Sequence, residues 1–249
     1  MNTDAIRLLW TGGWDSSFRL LQIVVMEKKR VQPYYICDAD RRSLHLELRA
    51  IKKILDLTRK TFPELSQNLL DPEFVFAEKE YDDSDICRYF MAYRSYSHIG
   101  EQYYWLSKFA DRFGIYDLEL SIEHVVPETI EGTWMMDVVP YLTGSGHECK
   151  VDYTRLTDEK AQLFKYYRWP VIHLTKTDMC NIARENGFLD IIKHSWFCHT
   201  PIRERPCGKC RPCRISKTDG NFTVHQVVPW YVTKADGYLT SFIRKMGII

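Results

Sequence analysis

The sequence predicts an α/β fold: a parallel β-sheet with flanking helices, followed by a four-cysteine segment. Three observations predict it. Short apolar strands alternate with amphipathic helices from the N-terminal end onward, the arrangement that builds parallel sheets. A glycine-bearing loop joins the first strand to the first helix, and four of the eight cysteines cluster between positions 198 and 213. At 249 residues and 45% hydrophobic content the chain can fill a sizeable core, which excludes a disordered or fibrous protein. Thirty-four basic residues against 33 acidic ones leave a formal charge of +1, so no global charge draws the chain to nucleic acid or to a membrane. No apolar run approaches the ~18 residues of a membrane span. MNTDAIRLLW lacks the basic-then-apolar pattern of a secretory signal, and the expected location is cytoplasmic.

Ile6 to Trp10 is an apolar strand, TGGWDSS follows as a loop, and Phe18, Leu21, Val24 and Val25 recur at helical spacing. Pro33 to Asp38 reads as the second strand. The next helix places Leu44, Leu48, Ile51 and Leu55 on one face with charges opposite. After a loop with two prolines, Phe74 to Ala77 reads as a third strand, and aromatic-rich helical sequence runs from about Asp85 to Phe113. Gly114 is placed to end that helix, and Tyr116 to Ile122 alternates as a strand. The stretch from Pro127 to Arg155 has no clear period, its Gly144-to-His147 segment suggesting a loop or lid. WPVIHL, from Trp169, reads as a strand. Thr175 and Asp178 then have capping-box spacing, with Gly187 at the helix end. Asp219 to Ile249 mixes strand-like and helical patterns.

Two motifs carry chemistry. In Thr11-Gly12-Gly13-Trp14-Asp15-Ser16-Ser17 the glycines permit positive φ and close backbone approach, while the helix start offers N–H groups and a positive dipole end. Together with the hydroxyls of Thr11, Ser16 and Ser17 these suit a phosphate. The spacing matches neither GxxxxGK[ST] nor GxGxxG. The competing reading is a tight turn in which Asp15 caps the helix. The second motif, Cys198-x8-Cys207-x2-Cys210-x2-Cys213, gives four soft ligands for a closed, structural Zn²⁺. An iron–sulfur cluster is its rival, and a redox dithiol fits less well because four thiols exceed what it needs. His199 is either a replacement ligand or a bystander. Cys37, Cys87, Cys149 and Cys180 are scattered singly and read as small buried hydrophobes.

The TGGWDSS loop resembles the SGGxDS loop of the PP-loop, or N-type, ATP pyrophosphatases, with threonine for the first serine. Both motifs in this order, with His45-Leu46-Glu47 and Leu174-Thr175-Lys176 between them, resemble the 7-cyano-7-deazaguanine synthase family over about residues 5 to 215. The chain departs from that family's pattern in the middle. Tyr93-Arg94-Ser95 stands where the family has PGRN, YPDCR has no counterpart near Gly144 to Arg155, and HSWFC replaces SCY.

The resemblance implies a Rossmann-like, HUP-type sheet, with an ATP-binding domain over 1–190, a zinc segment over 191–218 and a C-terminal extension packed on the domain over 219–249. It implies ATP and Mg²⁺ as well as Zn²⁺, and an AMP- and pyrophosphate-forming activation of a 7-deazaguanine carboxylate. An amine, either ammonia or a protein amine, then attacks. The second acceptor belongs to relatives in anti-phage defence operons, where a protein encoded in the same operon is the partner. By the same resemblance Trp10, Thr11, Gly12, Gly13, Asp15, Ser16, Ser17 and Cys37 bind ATP, and Asp15, Ser16 and Lys176 are catalytic. Arg94 and His45 would face the substrate, although lone surface charges are usually just solvated. Two further readings stay open: a PP-loop enzyme that modifies tRNA, and a nucleotide-binding protein without turnover. The basic residues Arg203, Arg205, Lys209, Arg211 and Arg214 read as a solvated face or an RNA contact. Tyr103, Tyr104, Trp105, Phe109 and Phe113 read as core or a homodimer contact.

Overall fold

The computed structural model describes residues 4–124 and 133–218. The expected extension, 219–249, therefore lies outside the described residues, as does part of the unassigned stretch after Pro127. The strands are β1 (Ile6–Leu9), β2 (Val31–Cys37), β3 (Glu73–Phe76), β4 (Leu118–Glu119), β5 (Leu142–Thr143), β6 (Lys150–Val151) and β7 (Tyr167–Arg168). They form one seven-stranded sheet of order β3-β2-β1-β4-β7-β6-β5. From β3 to β7 the pairs are parallel, and β6 and β5 add an antiparallel margin. The helices are α1 (Trp14–Leu21), α2 (Leu44–Thr61), α3 (Asp85–Arg94), α4 (Gln102–Arg112), α5 (Lys176–Glu185), α6 (Leu189–Ile192) and α7 (Arg211–Thr218). This is the mostly parallel, helix-flanked Rossmann-like α/β architecture that the sequence predicts.

Successive side chains of a strand point to opposite faces, so a sheet covered on both sides needs apolar residues at nearly every position. Leu8, Tyr35 and Cys37 enter one core with α1, α2, α5 and α6. Leu9, Tyr34 and Ile36 enter the other with α3, α4 and Trp134, Phe164 and Trp169. Cys37, Cys87, Cys149 and Cys180 are all buried.

Several elements differ from their sequence patterns for identifiable reasons. On α2 the buried stripe is Leu46, Glu47, Ala50, Ile51, Ile54, Leu55 and Thr58, with Leu44 and Leu48 only half-buried. The face turns because Glu47 is buried with its own set of partners, described below. The helical run from Asp85 to Phe113 is split into α3 and α4. Ser95 turns its hydroxyl onto Ala92 O at 2.7 Å, and Ser97 accepts the Trp134 N–H at 2.9 Å. Only Leu118–Glu119 of the fourth strand joins the ladder. WPVIHL is not a strand. The ladder ends at Arg168, Pro170 has no N–H to donate, and a turn closed by Leu174 N–H to Val171 O at 2.9 Å leads to α5. Gly144 to His147 lies in the loop that joins β5 to β6.

The expected caps are present. Thr175 accepts from Asp178 N–H at 3.1 Å while Asp178 accepts from Thr175 N–H at 2.9 Å. Gly114 and Gly187 follow their helices at φ 62 and 74°. Past α1 the helix widens into a π-turn, Gln22–Met26, whose closing bond runs from Glu27 N–H to Gln22 O.

Candidate active site and metal centre

Strand order sets where a ligand can sit. The chain leaves β1 toward β2 on one side and places β4 on the other, and such a reversal opens a crevice beyond the strands' carboxyl ends. A cleft of about 860 Å³ lies there, lined by Thr11, Gly13, Trp14 and Asp15 after β1, Asp38 and Arg41 after β2, and Glu123 after β4. A second hollow of about 290 Å³ shares Thr11, Gly13, Trp14 and Asp15 and adds Trp10, Ser16 and Ser121.

The loop has the geometry its glycines predict. Gly12 has φ +68°, and a Cβ there would stand 3.0 Å from Ile51 Cγ1 and 3.1 Å from Glu47 O. Both the dihedral and the close packing on α2 require glycine. Gly13 is the N-cap of α1 and no side chain caps the helix, which leaves the helix start available to an anion. Asp15 is therefore not the cap. Its carboxylate instead pairs with Lys176, the first residue of α5, which also contacts Glu123 at 3.1 Å. Burial by itself disfavours the ammonium, but the two carboxylates outweigh it and hold the Lys176 pKa above the usual lysine value. Ser16 Oγ lies 3.5 Å from Thr11 Oγ1, on the loop. Trp10 and Ser17 are fully buried and bonded to each other, Trp10 Nε1 to Ser17 Oγ at 3.0 Å, so they brace the loop from below. Cys37 is buried in the core beneath Asp38, which lines the cleft in its place.

Glu47, Arg41 and Glu123 are cleft residues that sequence reasoning did not place there. Glu47 is 4% exposed. It accepts from Tyr35 Oη at 2.7 Å, Ser43 Oγ at 2.6 Å and Arg41 Nη1 at 3.2 Å. A carboxylate interrupting an apolar helical stripe is the sequence signal that would have found it. Glu123 follows the carboxyl end of β4, the position where α/β sheets place ligand contacts. The structure does not bring Arg94 or His45 to the cleft lining. Arg94 caps an exposed cluster with Tyr81 Oη at 2.7 Å and Glu101 at 3.5 Å. His45 and Arg49 face Glu204 from the outer side of α2, at 3.8 and 2.9 Å.

The four predicted metal ligands converge. The sulfurs of Cys198, Cys207, Cys210 and Cys213 lie within 4.8 Å of one another, with Cys207–Cys213 and Cys198–Cys210 at 3.9 Å. Zn–S bonds of about 2.3 Å in a tetrahedron set sulfurs about 3.8 Å apart, so the four thiols fit that ion. Cys198 and Cys213 are fully buried. Burial pushes the Cys207 thiol up, but the Thr200 hydroxyl at 3.2 Å and the N–H groups of Cys210 and Lys209 outweigh it and bring its pKa down to about 6. Such N–H···S bonds orient and ionise metal-binding thiols. His199 stays outside this group and lines the cleft.

The metal segment is not remote from the loop. Trp196 N–H donates to Gly12 O at 2.9 Å, and Trp196, Phe197, His199 and Arg211 form one wall of the cleft. Ser121, on the hollow, and Ser195, on the cleft, have buried hydroxyls without a hydrogen-bond partner among the described residues. Among the described residues, no helix is long and apolar enough to cross a membrane.

Comparison with known proteins gives little by sequence: no family model matches the chain, and no curated protein matches it. Among solved structures, a 4-thiouridine synthetase in complex with RNA and bound ATP aligns at 11% identity and a TM-score of 0.39, over 89% of this chain. The chain spans about half of that protein's length, 51%.

Proposed function

We propose that the chain is an adenylating enzyme of the PP-loop kind, which cleaves ATP to AMP and pyrophosphate to activate a 7-deazaguanine carboxylate for attack by an amine. The observation that supports it best is the uncapped loop-to-helix turn at Thr11–Ser17, whose Asp15 pairs with Lys176 beside Glu123 in one cleft. Thr11, Gly12, Gly13, Ser16 and the N-terminal turn of α1 would take the pyrophosphate end of ATP. Lys176, a fixed cation, would stabilise charge gathering on the departing pyrophosphate. Asp15 and Glu123 offer the oxygen ligands a Mg²⁺ shared with phosphates requires.

In the reaction a substrate carboxylate oxygen bonds to the α-phosphorus as the bond from that phosphorus to the bridging oxygen breaks, releasing pyrophosphate. The acyl carbon then carries a phosphate leaving group. Ammonia forms the C–N bond, AMP departs and a proton is lost, leaving an amide. A second adenylation, on the amide oxygen, followed by loss of AMP and two protons, gives a nitrile. The chain contributes positioning and charge, with no covalent nucleophile.

The test is to incubate the full chain with α-labelled ATP, Mg²⁺ and 7-carboxy-7-deazaguanine, with and without ammonium, following AMP and the mass of the base. Acid-dependent AMP with an amide or nitrile product is expected. Asp15→Ala and Ser16→Ala are expected to lower the AMP rate about 100-fold or more while the circular dichroism spectrum is retained. Full turnover in either variant would remove the loop from the chemistry.

A further inference from the structure

Charge pairing inside the cleft is nearly complete. Asp15 and Glu123 meet Lys176, Asp38 meets Lys79, Glu47 meets Arg41, Glu101 meets Arg94, and Lys193 meets Asp190. Arg211 breaks the pattern: it lines the same cleft and has no carboxylate partner among the described residues. It lies in the metal knuckle, directly after Cys210, so its backbone is held by the four-thiol centre. Rings that are already oriented line the same cleft. Trp134 stacks on Phe164 at 4.6 Å and 11°, and Tyr103 packs on Trp134 at 4.8 Å. Trp196 is fixed by its Nε1–H bond to Cys198 O at 2.8 Å. A guanidinium with no carboxylate partner among the described residues, beside pre-set aromatic rings, is the donor set for a planar anion, which stacks by its faces and binds by its carboxylate. The volume, about 860 Å³, is at the upper end of the ~300–1,000 Å³ of small-molecule sites, and leaves room for a second substrate beside a nucleotide.

We infer that the four-cysteine segment supplies the second-substrate subsite: Arg211 anchors the carboxylate of a planar heteroaromatic acid that lies against Tyr103, Trp134 and Trp196. The chemical purpose of holding this acid rests on the adenylation reading, but its binding does not. The metal segment is then a wall of the active site as well as a structural clip, joined to the phosphate loop through Trp196 and Gly12.

The experiment is calorimetric titration of the metal-loaded full chain with three probes: 7-carboxy-7-deazaguanine, 7-deazaguanine without the carboxylate, and α,β-methylene-ATP with Mg²⁺. Arg211→Met is expected to weaken the acid about tenfold or more, and to leave 7-deazaguanine and the ATP analogue within about twofold. Arg211→Lys is expected to recover part of the loss, because charge returns without the bidentate fork. No saturable binding of the acid to the wild type overturns the proposal, as does unchanged acid affinity in Arg211→Met. Equal weakening of the acid and of 7-deazaguanine also overturns it, since the arginine would then serve only the fold. Failure of the ATP analogue alone, with Arg211-dependent acid binding intact, rejects the adenylation reading and leaves the subsite standing.

Discussion

Lys176 shows how a residue's surroundings fix its chemistry. With Asp15 and Glu123 on its ammonium, its folded pKa is raised. The stabilisation from this cluster is therefore fully present below the unfolded lysine value of about 10.4 and is lost only as pH rises through the higher folded value. Between neutrality and that value Lys176 stays charged. The pH–rate profile for AMP formation is expected to show no basic limb from this residue below about pH 10. Lys176→Met is expected to lower kcat by about 100-fold and also to lower the melting temperature, because the cluster's stabilisation goes with the ammonium, as measured by AMP release and differential scanning calorimetry. A mutant that keeps kcat and loses only stability would make the lysine a structural counter-ion. The sequence singled out Asp15, Ser16 and Lys176 through a family resemblance, and the fold brings Asp15 and Lys176 into contact. Glu123 and Arg41 were not visible, because nothing local distinguishes a cleft carboxylate or guanidinium from a solvated one.

At the scale of elements, β1, its loop and α1 form one structural unit, and its two glycines are not equivalent. Gly12 combines φ +68° with a 3.1 Å approach to the Glu47 carbonyl, whereas Gly13 has φ −78° and its added Cβ would meet chiefly Thr11 Oγ1 at 3.1 Å. Gly12→Ala is expected to cost ~1–2 kcal/mol from the left-handed conformation alone, seen as a lower denaturation midpoint, together with loss of AMP formation. Gly13→Ala is expected to stay within about 0.5 kcal/mol of the wild type; equal destabilisation of both would contradict the described loop. Behind the unit, Arg19 of α1 is fully buried and bonded to Glu119 of β4 at 2.7 and 2.8 Å, with Glu27 as its second carboxylate. That pair ties α1 to the strand flanking the cleft. Helical periodicity assigned the apolar stripe of α1 and gave no sign that its arginine is buried, because the partner lies 100 residues away.

For the whole molecule the four-thiol cluster, proposed as a structural metal site, connects stability to the cleft. In such a site metal-binding free energy is folding free energy, and here the same segment donates to Gly12 O and walls the cleft. Cys210→Ser is expected to lower zinc content, measured by atomic emission, and to lower the melting temperature by about 10 °C. A folded, active variant with no metal would show that the thiols are not a structural site.

What the sequence by itself determined is whatever is local in cause. Apolar alternation specified the parallel sheet and its helical flanks. Glycine specified the left-handed turn at Gly12, Thr175 and Asp178 the helix start, and cysteine spacing the four-thiol cluster. The tertiary structure alone decided which charges meet, because ion pairs such as Lys176–Asp15 join residues 161 positions apart. It also decided that β4 shortens to two residues, that β7 forms at Tyr167–Arg168 and not over WPVIHL, and that 142–151 folds as an antiparallel margin, since ladder length depends on a partner strand. Arg211 shows the same division: its place in a cysteine knuckle is written in the sequence, but its place on the cleft beside Tyr103, Trp134 and Trp196 exists only once the segment packs there.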